Sequence, residues 1–284
     1  MSKEETGLVL EGGGFRGIYT AAVLDVFLRE KLFFNYVLAV SAGAAYGVSY
    51  VSRQYERNLA VNRYVGDMRY CGWRNYFRNG SYFNWDFVYR EIPEKLIPFS
   101  FETFMNSGVR MRVVVTNCLS GNAEYPDLNN TSVDRFRELL TATSSLPFIS
   151  RMIEINGNYY MDGGIADAIP IQQAFKDKMD RVVVILTRHE GYRKKESTAT
   201  AILRVVYRKY PNMVKSFLER ADRYNKTLDK LEQLEGEGKV FIIRPRSPLK
   251  VARMENDPVK LRKVYDEAVL QMENVIPRLK EWLH

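Results

Sequence analysis

The chain has 284 residues, is 46% hydrophobic, and carries a formal charge of +8 with a pI near 9.3. Its hydrophobic content is ordinary for a globular protein, and its length suits one large α/β domain or two small ones. Its two cysteines, Cys71 and Cys118, lie far apart, which excludes a disulfide framework and fits a reducing compartment. The cationic excess favours an anionic partner: nucleic acid, an anionic membrane surface or a phosphorylated substrate.

In chain order, residues 1–6 are polar and lead straight into an apolar run, so no signal peptide is expected. No window approaches the roughly 20 apolar residues of a spanning helix. Both features point to a cytoplasmic protein, with peripheral membrane contact open. Residues 7–11 read as a strand, and Gly12-Gly13-Gly14-Phe15-Arg16-Gly17 follows at once, opening a helical pattern over 15–29. Residues 36–40 are a second strand, which delivers Ser41 into Ala39-Val40-Ser41-Ala42-Gly43 and a helix over 42–53.

The stretch 70–104 is rich in aromatics, among them Trp73, Tyr76, Phe83, Trp85, Tyr89 and Phe99. It reads either as a subdomain core or as an acyl-chain pocket or interfacial lip, since Trp and Tyr suit a site apolar at one end and wet at the other. Strand patterns recur at 112–116, 182–186 and 240–243, with helical patterns at 133–143 and 171–177. Val-rich strands without polar alternation, separated by helices, predict a mostly parallel sheet flanked by helices. Apolar residues from Val214 to Leu231 and from Leu261 to Val275 follow the helical period, the second run opening on Asp257-Pro258 as N-cap and first turn. Val240 to Ile243 lies between them, so the C-terminal region is expected to wrap onto the same sheet. Ten basic residues from Arg188 to Arg223 crowd this region, and Ile202, Leu203, Val205 and Val206 form one side of a basic amphipathic pattern. That pattern fits a core-packing helix with a solvated face, or a helix lying on an anionic membrane. No nucleic-acid reading module is present.

Gly12, Gly14 and Gly17 satisfy the dinucleotide fingerprint, but the second strand ends in Val40-Ser41 with no acid for the ribose, and no Gly-Lys-Ser/Thr follows for a P-loop. The remaining reading is an oxyanion hole. Adjacent glycines let backbone N–H groups converge on a small anion at a helix N-terminus. Arg16 in that turn reads either as a functional cation or as a solvent-facing one. Ser41, flanked by Ala39, Ala42 and Gly43, is the nucleophile candidate on a strand-to-helix elbow, which needs small neighbours. Its base is either Asp162, in Tyr160-Met161-Asp162-Gly163-Gly164, as a Ser–Asp dyad, or His189 completing a Ser41–Asp162–His189 triad. The dyad is the favoured expectation, because His189 is followed by Glu190 and a basic loop.

The glycine turn, the Ser41 elbow, Ser144-Ser145-Leu146-Pro147-Phe148 and Asp162-Gly163-Gly164 together resemble, in order, the signature blocks of the patatin-like phospholipases. The resemblance covers roughly residues 6–190. It implies a Ser–Asp lipid acyl hydrolase of the bacterial patatin-like type, on a three-layer α/β fold, with no cofactor, no metal and no catalytic histidine. By this resemblance Ser41 attacks the ester and Asp162 takes its proton. Gly12, Gly13, Gly14 and Arg16 hold the oxyanion, and Ala39 and Gly43 shape the elbow. The departures from the pattern are Ala39 in place of glycine, Glu11 before the glycines, and the C-terminal region. The resulting division is a catalytic core at 1–190 and a helical region with one further strand at 191–284. The expected partner is a lipid ester, phospholipid or lysophospholipid. A non-catalytic membrane- or lipid-binding module on the same fold is the alternative.

Overall fold

The computed structural model describes residues 4–198 and 200–284, so the first three residues of the polar N-terminal segment lie outside it. Among the described residues one sheet holds eight strands. They are β1 (Thr6–Leu10), β2 (Tyr36–Val40), β3 (Arg110–Asn117), β4 (Ala123–Glu124), β5 (Ile153–Ile155), β6 (Asn158–Asp162), β7 (Arg181–Ile185) and β8 (Val240–Ile243). Their order is β5-β6-β3-β2-β1-β7-β8, with β4 beside β3. From β3 across to β8 the pairs are parallel, and β4, β5 and β6 add an antiparallel flank. The flank is the part that apolar runs did not announce: β5 and β6 are half-exposed and carry polar residues.

The α-helices are α1 (Ile18–Arg29), α2 (Ala42–Val51), α3 (Arg57–Asn62), α4 (Trp73–Asn79) and α5 (Phe101–Met105) in the first half, with a π-helix at Phe87–Leu96 between the last two. The second half adds α6 (Val133–Ser144), α7 (Ile171–Lys176), α8 (Thr200–Val206), α9 (Pro211–Gly236) and α10 (Pro258–Leu283). Because successive strand residues point to opposite faces, each central strand feeds two cores. Leu8, Leu10, Val37, Ala39, Met111 and Val113 pack beneath α1, α2, α6 and α10. Val9, Leu38, Val40, Val114 and Val184 pack beneath α7 and α9. These are the three layers. The two long C-terminal helices cover opposite faces, and β8 pairs in register with β7, Val182 opposite Val240.

Two elements differ from the helical patterns. The run from 15 to 29 is broken: Gly14–Gly17 forms a 3-10 turn before α1 begins. Gly14 has φ +58° and the Phe15 N–H is drawn to Arg253 O (3.1 Å), which tightens the chain there. In α8 only Leu203 turns inward. Ile202, Val205 and Val206 are 62%, 72% and 56% exposed, so the apolar side of that helix faces water rather than the core.

Candidate active site

Ser41 follows β2 directly and caps α2 with φ 52° and ψ −123°. A non-glycine residue in that region is strained, by roughly 1–3 kcal/mol, and persists only where its surroundings over-determine it. Two features do so. The Ser41 N–H donates to Thr143 Oγ1 (2.9 Å), whose own hydroxyl donates to Val114 O (2.6 Å), tying the elbow to α6 and β3. Gly43 permits the close crossing: a Cβ there would stand 2.8 Å from the carbonyl oxygens of Leu10 and Glu11. Ala39, the departure from glycine, is fully buried in the core beneath α1 and α2, where its methyl is accommodated.

Asp162 ends β6 and is 2% exposed. Val40 is opposite Val114, and Val115 is opposite Asp162. One residue beyond Val40, Ser41 therefore lies at the level of Asp162, two strands away, about 10 Å between Cα atoms at ordinary strand spacing. The carboxylate is half-held. Oδ1 accepts from Gly164 N–H (2.7 Å), whereas Oδ2 is buried with no hydrogen-bond partner. The Asp162 N–H donates to Ser145 O (2.8 Å), which gives the Ser/Pro block a structural role beside the acid. Ser41 and Asp162 are not hydrogen-bonded to each other, a looseness common before substrate binds. Tyr89 stands nearby. Burial pushes its hydroxyl up to about 12, and the Asp162 charge adds to the rise.

The glycine turn lies against the elbow: a Cβ on Gly12 would be 3.0 Å from Ser41 Cβ, and one on Gly13 would be 2.7 Å from Thr187 Oγ1. Gly13 is the N-cap and Gly14 the first residue of the 3-10 turn, positions whose N–H groups have no intrahelical acceptor. The Phe15 N–H, by contrast, is committed to Arg253 O. Glu11 is 4% exposed and fully engaged. It accepts from Thr187 N–H (2.6 Å), Thr187 Oγ1 (3.0 Å) and Tyr224 Oη (2.7 Å). Arg16 is half-buried with its Nε unpartnered; burial, then the charges of Arg188 and Arg253, lower it to about 10.

From Ser41 and Gly14 opens a cavity of about 120 Å³. Its walls include Phe83, Trp85, Tyr89 and Phe99 from the aromatic segment, with Phe136 and Leu140 of α6. Stacked rings, Phe83 on Trp85 at 4.9 Å and Trp85 on Tyr89 at 5.6 Å, stiffen that wall. The aromatic stretch is thus both wall and core: Phe87 and Phe104 are buried behind the rings that line the space. Arg57 also borders it, holding Pro98 O, Ile97 O and Ser49 Oγ.

His189 is not brought to the acid. Its Nδ1 meets Glu190 O (2.5 Å) in its own loop, and its ring packs edge-on to Tyr192. Thr143 and Tyr89, which position the elbow and border the acid, carry no sequence motif. The only signal was the place of Thr143 immediately before the Ser/Pro block.

A mostly parallel sheet covered on both faces, with a strained serine elbow set against a glycine turn, defines the α/β class that carries such elbows. The chain belongs to the patatin-like phospholipase family, whose model matches residues 8–175. A domain of unknown function (DUF6363) matches residues 210–284. The uncharacterized protein YjjU of Escherichia coli (strain K12) is 30% identical over 188 residues, covering 63% of this chain and 51% of its own, so the chain spans about half of that relative. A probable lipid hydrolase, 463L, of Invertebrate iridescent virus 6 is 22% identical over 259 residues, 78% of this chain and 86% of its own. Among solved structures, VipD from Legionella pneumophila is 13% identical with a TM-score of 0.41, covering 93% of this chain and 67% of that one.

Proposed function

We propose that the protein hydrolyses lipid acyl esters, phospholipid or lysophospholipid, through a Ser41–Asp162 dyad. The observation that carries the reading is Ser41, held at positive φ on its elbow, in the wall of a cavity lined by aromatic side chains. A fatty acyl chain enters that cavity, with its ester carbon at Ser41. Ser41 Oγ attacks the carbonyl carbon while its proton passes to Asp162, and the carbonyl oxygen takes the negative charge. The N–H groups of Gly13 and Gly14 then face that oxygen, helped by the partial charge of the turn's N-terminus. Collapse expels the alkoxide, which takes the proton from Asp162 and leaves an acyl-serine. Water, deprotonated by the same carboxylate, attacks the acyl-serine; the fatty acid leaves and Ser41 regains its proton. The unpartnered Oδ2 of Asp162 supports this role, since an orphaned buried oxygen calls for an explanation.

Membership of the patatin-like family and the probable lipid hydrolase among the relatives add support. The substrate would be met at a membrane surface. The exposed Ile202, Val205 and Val206, with Arg204, Arg208 and Lys209 alongside, suit shallow contact with anionic lipid. A fluorophosphonate probe tests the chemistry directly. Folded wild type should label at Ser41 alone, with labelling lost in Ser41→Ala, strongly reduced in Asp162→Asn and kept in His189→Ala. Loss in His189→Ala with the fold intact would restore the triad. Absence of labelling in folded wild type would favour a lipid-binding module without catalysis.

A further inference from the structure

Beside the glycine turn, outside the lining of the aromatic cavity, the chain gathers cations. Arg253 sits beside the glycine turn: its carbonyl accepts from Phe15 N–H, and its Cγ would be 2.9 Å from a Cβ on Gly14. Its neighbour Met254 borders the cavity, so the cationic side and the apolar side meet at this point. Arg16 and Arg253 both have a buried Nε without a hydrogen-bond partner. Arg188 lies over the Tyr192 ring at 4.2 Å, Tyr192 meets Tyr224 edge-on at 6.1 Å, and Lys194 Nζ lies over Tyr224 at 4.1 Å. Reciprocal bonds to the Asn225 side chain, 2.8 and 3.0 Å, fix the Lys194 backbone to α9.

Arg220 rests on Phe217 at 4.7 Å. Among the described residues none of these five cations forms an ion pair with a carboxylate. Two nearby acids offset part of this charge without pairing to it: Glu11, which spends its oxygens on Thr187 and Tyr224, favours the charged forms of Arg16 and Lys194, and Asp162, held by Gly164 through Oδ1, favours those of Lys194 and Arg220. Burial, then the charge of Arg220, lowers Lys194 to about 7, and burial with the charge of Arg253 lowers Arg220 to about 10. Like charges crowded together without a directly paired carboxylate are costly to the fold. An anion supplied from outside would offset that cost.

We propose that Arg16, Arg188, Lys194, Arg220 and Arg253 form a subsite for a phosphate group, placed to take the head group of an anionic lipid whose ester lies at Ser41. The inference rests on the hydrolase reading for its lipid source. The cations converge from three parts of the chain: Arg16 from the patatin-like region, Arg188 and Lys194 from the link after β7, Arg220 and Arg253 from the C-terminal region. A head group with its own ammonium would gain less there, because the cations that attract its phosphate repel its ammonium, whereas a phosphate without one gains charge-assisted hydrogen bonds unopposed.

The test compares phosphatidate, phosphatidylglycerol and phosphatidylcholine of equal acyl chains in nonionic mixed micelles, where no charged surface is offered. Wild type should favour phosphatidate over phosphatidylcholine by about tenfold or more in kcat/KM, and Arg220→Gln or Lys194→Gln should bring that ratio towards one. The ratio cancels any general loss of activity. Both variants should melt no lower than wild type, because each removes a cation held against its own kind; a purely structural role predicts the reverse. Inorganic phosphate should raise the melting temperature of wild type and not of the variants. Phosphate binding without head-group preference assigns the subsite to a free phosphate and overturns the lipid source. Equal turnover of all three lipids with no phosphate effect overturns the proposal. If no ester is turned over but phosphate still stabilises wild type alone, the subsite stands and the hydrolase reading falls.

Discussion

Thr143 decides whether the elbow holds its geometry. It is fully buried, and its one hydroxyl both accepts from Ser41 N–H and donates to Val114 O. Thr143→Val keeps the shape but leaves a buried donor and a buried acceptor unpaired, at about 1–3 kcal/mol. The melting temperature should fall, and the fluorophosphonate labelling rate should drop by about ten- to a hundredfold as Ser41 relaxes from its strained φ. Thr143→Ser, which restores the hydroxyl, should recover most of both. Equal labelling rates in the Val variant and wild type would show that Gly43 and the crossing beneath it suffice. This residue also marks the limit of sequence reading at this scale. Ser41, the glycine turn and Asp162 are legible because each needs particular neighbours within a few positions. Thr143 acts 102 residues from Ser41 and Arg253 reaches Phe15 from the other end of the chain, so only the fold brings them together.

Between elements, the joint of α1 with α10 carries a pH dependence. Asp25 of α1 is 2% exposed; its oxygens accept from Tyr265 Oη of α10 (2.8 Å) and from Glu56 N–H (3.1 Å). Burial dominates nonetheless, and raises the carboxyl from 3.8 to about 6, with the two hydrogen bonds opposing the rise. A raised folded value means that the folded state keeps a proton which the unfolded chain has already released. Stability therefore falls as pH rises from about 4 to 6, by a total on the order of 3 kcal/mol. Asp25→Asn removes the charge but not the shape. Its melting temperature relative to wild type should rise across that interval and level off above pH 6. A flat difference from pH 4 to 7 would show that the carboxyl titrates normally. Elements of this kind were readable where periodicity was strong, as in α1, α9 and α10. The half-exposed strands β5 and β6 and the outward turn of α8 follow from what packs against them, which no periodicity encodes.

At the scale of the whole molecule, the C-terminal region behaves as part of the sheet that the patatin-like region begins. We expect residues 210–284 to be required for folding, for three separate reasons. Leu228, Leu231 and Leu234 of α9 cover Val182, Val184 and Leu38, while Leu261, Met272 and Leu279 of α10 lie in the core on the opposite face. β8 supplies the partner of β7, whose edge would otherwise stand unpaired. Arg253 O takes the Phe15 N–H of the glycine turn, so the region reaches the site itself. A chain ending at residue 209 would expose apolar surface on both faces at once, well beyond what a monomer tolerates. Such a truncation should be insoluble, or soluble without a cooperative melting transition and with strong binding of an apolar dye. Supplying residues 210–284 as a second chain during expression should recover soluble material, because the contacts are non-covalent. A soluble 1–209 fragment with a sharp transition and Ser41 labelling would show instead that the patatin-like region folds alone. The anionic preference would then separate the two possibilities. Such a fragment lacks Arg220 and Arg253, and its turnover of phosphatidate over phosphatidylcholine should lose the wild-type ratio even with the elbow intact.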